Sequence, residues 1–342
     1  VSIKNIILSL LVFSDLKANE SEKQLSHFVW SFGLENICDV GFQEFPHDFF
    51  AQDQVFDFRL YDNIQTGDIV WLPGRFVEQF AYEVFPNISQ QFALLINDAR
   101  GSDESFPSDC FKQLDIEQFI ADPRIIHIFA QNCDYQGSSG KVSHIPIGID
   151  YHTIGYRGGG WGEKGSIRDQ EEVLEKIIAL SKPTKDRKKL AFVDFHHSDT
   201  MHAGFNRHLQ FGEDRKSIFQ KLLSTKLVEH GDWMKRYALW QKKSEYAFSI
   251  SPHGNGLDTH RTWEDLVLGC IVIVKSSPLD PLYEGLPVVI VNDWSEITSD
   301  NLDKWLELYG DALSNPIYRE RLTHEYWSNK IFQTVINYKR SD

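Results

Sequence analysis

The stretch from Tyr246 to Val274 constrains this chain more than any other. An apolar run, Tyr246 to Ile250, leads into Ser251-Pro-His-Gly-Asn-Gly-Leu-Asp258; an amphipathic segment follows from about Thr259 to Leu268, then a second apolar run from Ile271 to Val274. The pattern predicts a buried strand, a Gly-rich turn, a helix and a second buried strand, which together make one βαβ unit. Such a unit belongs to a parallel sheet and places its turn and helix N-terminus at the carboxyl edge, where α/β proteins bind ligands.

The turn itself suits an anion. Gly254 and Gly256 let backbone approach a ligand closely, and Asp258 is the expected N-cap of the helix. Free N–H groups and the positive helix end favour negative charge there. His253, Gly254, Asn255, Gly256, Asp258, Thr259 and His260 therefore form a candidate binding loop. Arg261 and Glu264, three residues apart, are expected to share a helix face, the guanidinium holding a diphosphate and the carboxylate accepting from ribose hydroxyls. On spacing alone, the competing reading is an ordinary surface Arg–Glu pair.

The run from Phe248 through Val274, followed by Ser277-Pro-Leu-Asp-Pro-Leu-Tyr-Glu-Gly-Leu-Pro287 and Val291-Asn-Asp-Trp-Ser295, resembles the donor-binding half of exostosin-like glycosyltransferases, glycosyltransferase family 47 and its relatives. The N-terminal half matches only loosely. The resemblance implies an α/β chain of the GT-B type: two Rossmann-like domains with parallel sheets facing across a cleft, and C-terminal helices packing back. It implies a nucleoside-diphosphate sugar, UDP- or GDP-linked, held by the second domain, an acceptor held by the first, and inversion at the anomeric carbon. By the same resemblance Arg215, heading a helix, matches an arginine that faces the donor phosphates, with Arg207 as a second candidate. The His-rich run His196 to His202 departs from the family's glycine-containing turn.

Elsewhere, strand-like and helix-like segments alternate: Asn5 to Phe13, a polar helix candidate from Glu20 to Phe32, Ile69 to Leu72, Phe76 to Phe85, Phe92 to Asn97, Ile116 to Ala121 and Ile125 to Ala130. The rhythm argues for a parallel sheet with crossover helices. The segment His144 to Asp150 reads as the crossover into a second domain, which opens with a helix from Gln170 to Leu180 and a strand from Lys189 to Phe195. Further on, Pro287 to Val291 reads as a strand, and Asn301 to Leu313 and Tyr318 to Tyr338 as helices. With 342 residues, two domains of 1–150 and 151–342 are expected. Sugar transfer to a hydroxyl needs a base for the acceptor proton, and the loop after Asn97 is rich in carboxylates. Asp98, Asp103 and Glu104 are the candidates, with His127 next.

A net charge of −14 argues against nucleic acid as a partner, because a phosphate backbone requires a clustered basic face. Four cysteines at irregular spacings, Cys38, Cys110, Cys133 and Cys270, fit free thiols in a reducing, cytoplasmic setting. No stretch reaches the length of a transmembrane segment. Ile6 to Phe13 has the length of a signal-peptide core but no cleavage pattern in register, and the absence of an initial Met suggests one module of a longer chain. Adjacent His196 and His197 would point to opposite sides of a strand end, and no His-x-x-x-His occurs on a helix, so no metal or other cofactor is expected. The expected function is glycosyl transfer to a glycan acceptor. A glycan-binding module that retains the fold without turnover, or a nucleotide-sugar epimerase, would carry many of the same features.

Overall fold

The computed structural model describes residues 26–41, 57–97, 104–157, 159–195 and 215–339. The strand expected over 5–13 lies outside them. The chain is α/β, with two parallel sheets. The first has four strands in the order β1-β2-β3-β4: β1 Ile69–Pro73, β2 Phe92–Asn97, β3 Ile125–Ala130 and β4 Val142–His144. The second has five in the order β6-β5-β7-β8-β9: β5 Lys188–Val193, β6 Val228–His230, β7 Tyr246–Ile250, β8 Ile271–Lys275 and β9 Val288–Val291. Every pairing between these strands is parallel. Strands β1, β2, β3 and β7 are buried along their whole length, as continuous apolar runs covered on both faces should be.

The helices follow local signals. Helix α1 spans Ser31–Glu35, α2 Val77–Glu83 and α3 Ile116–Ala121, where Asp115 caps by accepting from the N–H groups of Glu117 and Gln118. Helix α4, Ile167–Leu180, begins with a capping box in which Ser166 and Asp169 satisfy each other's backbone N–H. Helices α5 Arg215–Ser224, α6 Arg236–Lys243 and α7 His260–Val267 belong to the second sheet. Gly269 ends α7 with φ +80°, a left-handed conformation in which the N–H groups of Gly269 and Cys270 close back on Leu266 and Asp265. Helices α8 Ser299–Tyr309, α9 Pro316–Arg321 and α10 His324–Lys339 complete the chain.

Two expectations are corrected. The helix anticipated from Glu20 to Phe32 is not helical over 26–30: Phe28 bridges Thr323 and Trp30 bridges Gly148, both antiparallel, before α1 starts. The single helix expected over 318–338 is broken for the same reason, because Leu322 and His324 turn their backbone groups to Val29 and His27. The last helix packs back onto the first sheet, with Gln91 donating to the Tyr338 hydroxyl at 3.2 Å. Its Trp327, Ile331 and Val335 join one apolar cluster with β1, β2, β3 and the underside of α7. This is the two-sheet plan that the resemblance implied. None of the helices described is long and apolar enough to cross a membrane, and all four cysteines are free thiols.

Asn97 ties the end of β2 to both neighbours: its Oδ1 accepts from the Trp71 indole at 2.7 Å and its amide donates to the Ser31 carbonyl at 3.1 Å, all buried. Asn97→Ala leaves two buried polar groups unpaired and is expected to cost about 2–4 kcal/mol in urea unfolding. Trp71→Phe in that background should cost less than it does alone, a coupling that independent sites would not show.

Candidate functional site

The loop between β7 and α7 lies at the carboxyl edge of the second sheet and meets the carboxyl edge of the first. Asn132, just beyond β3 and in a left-handed conformation at φ 48°, accepts the Asp258 N–H at 2.8 Å. Gly256 lies so close beneath it that a Cβ there would sit 2.7 Å from the Asn132 amide nitrogen. The glycine serves contact between the two halves of the chain, a use that the turn pattern alone did not distinguish from ligand approach.

Asp258 is fully enclosed. Its carboxylate accepts from the Ile147 N–H at 2.9 Å, the Thr259 N–H at 2.9 Å and the Trp263 indole at 2.8 Å, tying the loop to the segment that leads out of β4. The N-cap of α7 is Thr259, not Asp258 as the spacing suggested, and Thr259 makes no side-chain cap. Its hydroxyl instead bonds with Ser251 and Thr262. The first turn of α7 therefore keeps its positive end without a capping side chain.

Other predicted residues brace the loop. Arg215 donates from Nε and Nη2 to the His253 carbonyl at 2.8 and 2.6 Å. His253 is buried with Nδ1 2.9 Å from the Leu257 carbonyl, and burial pushes its pKa down to about 4, so the ring is neutral at pH 7. Gly254 and Asn255 form the half-buried tip. His260 places Nδ1 2.7 Å from the Gly148 carbonyl.

Arg261 and Glu264 do not share one surface. Arg261 turns toward β5, where its Nε donates to Asp194 Oδ1 at 2.8 Å, while its Nη1 is buried with no hydrogen-bond partner. Burial alone would raise the Asp194 pKa, but Lys243 and Arg261 outweigh it and hold the carboxyl at about 2. Lys243, entirely buried, bridges Asp194 at 2.7 Å and Asp265 at 2.8 Å. Glu264 turns the other way, toward α6. Its Oε1 accepts from Arg236 at 2.7 Å and its Oε2 from the Trp240 indole at 2.9 Å. The expected division of a nucleotide between two neighbours on one helix face is corrected accordingly: both oxygens of Glu264 are already engaged inside the protein.

Arg236 also grips Asp150, with Nη2 2.6 Å from Oδ2 and Nη1 3.1 Å from the Asp150 carbonyl. Burial opposes charge on Asp150, yet His152, Arg236 and His260 hold its carboxyl well below the usual range. His152 Nδ1 lies 3.1 Å from Asp150 Oδ1, and the His152 and His260 rings are 5.2 Å apart. The sequence reading missed Asp150, His152, Asp194, Arg236 and Lys243. A signal existed for α6: Arg236, Trp240 and Lys243 recur at i, i+4 and i+7, which puts two cations and an indole on one helix face.

Of the carboxylates proposed as base, Asp98 and Asp103 lie outside the described residues, as do His196, His197, His202 and Arg207. Glu104 stands beside the end of β1, its Oε2 3.6 Å from where a Cβ on Gly74 would be. His127 sits within β3, as its place in the Ile125 to Ala130 run implied; its Nε2 lies 2.8 Å from the Ser143 hydroxyl, and burial pushes its pKa down to about 4.

No protein-family model matches the chain, and no curated protein does. Solved structures to which the chain shows similarity include sucrose-phosphate synthase from Thermosynechococcus elongatus, 11% identical over 80% of this chain and 74% of that one, with a TM-score of 0.37. The catalytic domain of starch synthase IV from Arabidopsis thaliana, bound to ADP and acarbose, is 11% identical over 79% and 72%, TM-score 0.34. An α,α-trehalose-phosphate synthase (UDP-forming) from Burkholderia xenovorans is 12% identical over 81% and 75%, TM-score 0.32.

Two outcomes test this geometry. Gly256→Ala should destabilise the chain by about 1–3 kcal/mol through overpacking against Asn132. Asn132→Gly, which tolerates the left-handed backbone, should recover part of that loss in denaturant unfolding of the double variant. Glu264→Ala removes one partner of a buried pair and is expected to cost about 3–5 kcal/mol. A loss under 1 kcal/mol would mean that the pair is solvated.

Proposed function

We propose that this chain transfers a sugar from a nucleoside-diphosphate donor, UDP- or GDP-linked, to a hydroxyl of a glycan acceptor, with inversion at the anomeric carbon. The observation that carries the reading is the Arg261 guanidinium. It is fixed through Nε by Asp194, has a buried Nη1 with no partner, and stands in the first turn of a helix whose N-terminus has no side-chain cap. A guanidinium with one N–H group lacking an acceptor and a helix end with no side-chain cap, at the carboxyl edge of a parallel sheet, match what a departing diphosphate requires.

In this scheme the acceptor oxygen attacks the anomeric carbon while the bond from that carbon to the diphosphate oxygen breaks. The bonding pair leaves on the diphosphate, where Arg261 and the α7 terminus stabilise the growing charge. The acceptor proton passes to a carboxylate of the 98–104 loop, with Asp98, Asp103 and Glu104 as the pool. Arg215 and His253 shape the loop that receives the phosphates, and Glu264 orients α7 through Arg236 and Trp240. No step is routed through a cation, because fixed positive groups take that role.

Arg261→Ala should lower kcat by about 100-fold or more while changing affinity for the free nucleoside diphosphate less, since the contact strengthens as charge develops. Glu104→Gln, if Glu104 is the base, should lower kcat by about 100-fold at unchanged nucleotide affinity. Calorimetry with UDP and GDP, and steady-state kinetics against a panel of donor sugars, read both effects. Stabilisation by free glycans with no response to any nucleotide would replace the reading with that of a glycan-binding module.

A further inference from the structure

We propose that Asp150, His152 and His260 bind a divalent transition metal of the zinc class, at a site that joins the segment leading out of the first sheet to helix α7. One ligand atom from each of the three residues lies within 4.8 Å of the others. Asp150 Oδ1 and His152 Nδ1 are 3.1 Å apart. Bonds of about 2.0–2.2 Å from one tetrahedral ion to two such atoms would separate them by about 3.3–3.6 Å, a small opening of this pair. Two imidazoles are borderline donors, and beside one hard carboxylate they suit zinc, nickel or cobalt better than magnesium or calcium.

The surroundings are built as a ligand shell requires. His260 directs Nδ1 to the Gly148 carbonyl at 2.7 Å, which fixes the tautomer and leaves Nε2 with its lone pair. Asp150 is oriented from behind by Arg236 at Oδ2, which presents Oδ1 to the histidines, and the Thr153 N–H steadies that oxygen at 3.0 Å. The His152 ring stacks on Phe32, 5.5 Å between centroids, so its plane is set by packing. Charge permits a cation as well: Asp150 and Glu264 share the single guanidinium of Arg236, which leaves the cluster one negative charge in excess. Three protein ligands would leave a coordination position for water or an anion.

The sequence did not reveal this set because its members follow no helical or strand spacing. Asp150 and His152 are two apart in an irregular segment, and His260 comes from the far side of the second sheet's third crossover. The site adjoins the proposed donor loop through His260, and it can be tested with neither donor nor acceptor present.

The experiment titrates the chelator-stripped full chain with Co²⁺, read by its ligand-field absorption, and then displaces the cobalt with Zn²⁺. One equivalent is expected to bind, and Zn²⁺ should raise the melting temperature. His152→Ala and His260→Ala should each weaken binding by about 100-fold or more and abolish the thermal shift, whereas His230→Ala should leave both unchanged. Zinc-edge X-ray absorption on the unaltered protein provides a readout independent of variant folding, with two imidazoles expected in the shell. Absence of saturable binding, unchanged affinity in both histidine variants, or a shell without imidazole would each overturn the proposal.

Discussion

A single buried guanidinium organises the centre of this molecule. Arg236 reaches from α6 to the carboxylate of Asp150, in the segment leaving the first sheet, and to Glu264 on α7 in the second. Burial works against its charge, but the two carboxylates outweigh that cost and raise its pKa further. Ion pairs of this kind add little net stability, because desolvation consumes most of the attraction; what they impose is geometry, since any other arrangement strands a charge. The direction of α7, and with it the position of the loop at its head, follows from that requirement.

The same logic separates two kinds of charge around α7. Asp258, Asp265, Lys243 and Glu264 are enclosed and paired within the protein, and they act as internal struts. Arg261 is engaged on one side alone. Arg261 Nη1 is a buried donor that the protein itself does not satisfy, and the proposed chemistry rests on that demand.

Much of the fold was legible in the sequence because buried parallel strands are written as uninterrupted apolar runs. Tyr246–Ile250 and Phe92–Asn97 have the boundaries that the pattern gave, and α7 differs from its expected span by one residue at each end. The site was legible as a location but not as a set of roles. Periodicity placed Arg261 and Glu264 on the same stretch of helix, yet long side chains choose partners from tertiary neighbours, and Asp194 and Arg236 lie 67 and 28 residues away. Spacing also put the N-cap one residue early, since nothing local reveals that the Asp258 carboxylate is taken by Ile147 and Trp263. The helix misread over 26–30 has the same origin, a backbone whose partners come from the other end of the chain.

That last pairing bears on how the protein is made. Residues 27–29 exchange backbone hydrogen bonds with residues 322–324, and α10 covers the sheet formed by the first half. During synthesis from the N-terminus, the first sheet is complete in sequence long before the helix that covers it leaves the ribosome. Its apolar face must wait while the second sheet is made, and the chain can close over it only once α10 has emerged. A nascent chain built in this way depends on whatever shelters exposed strands in the interval, so its yield in cells is set by kinetics of synthesis as much as by the stability of the finished fold.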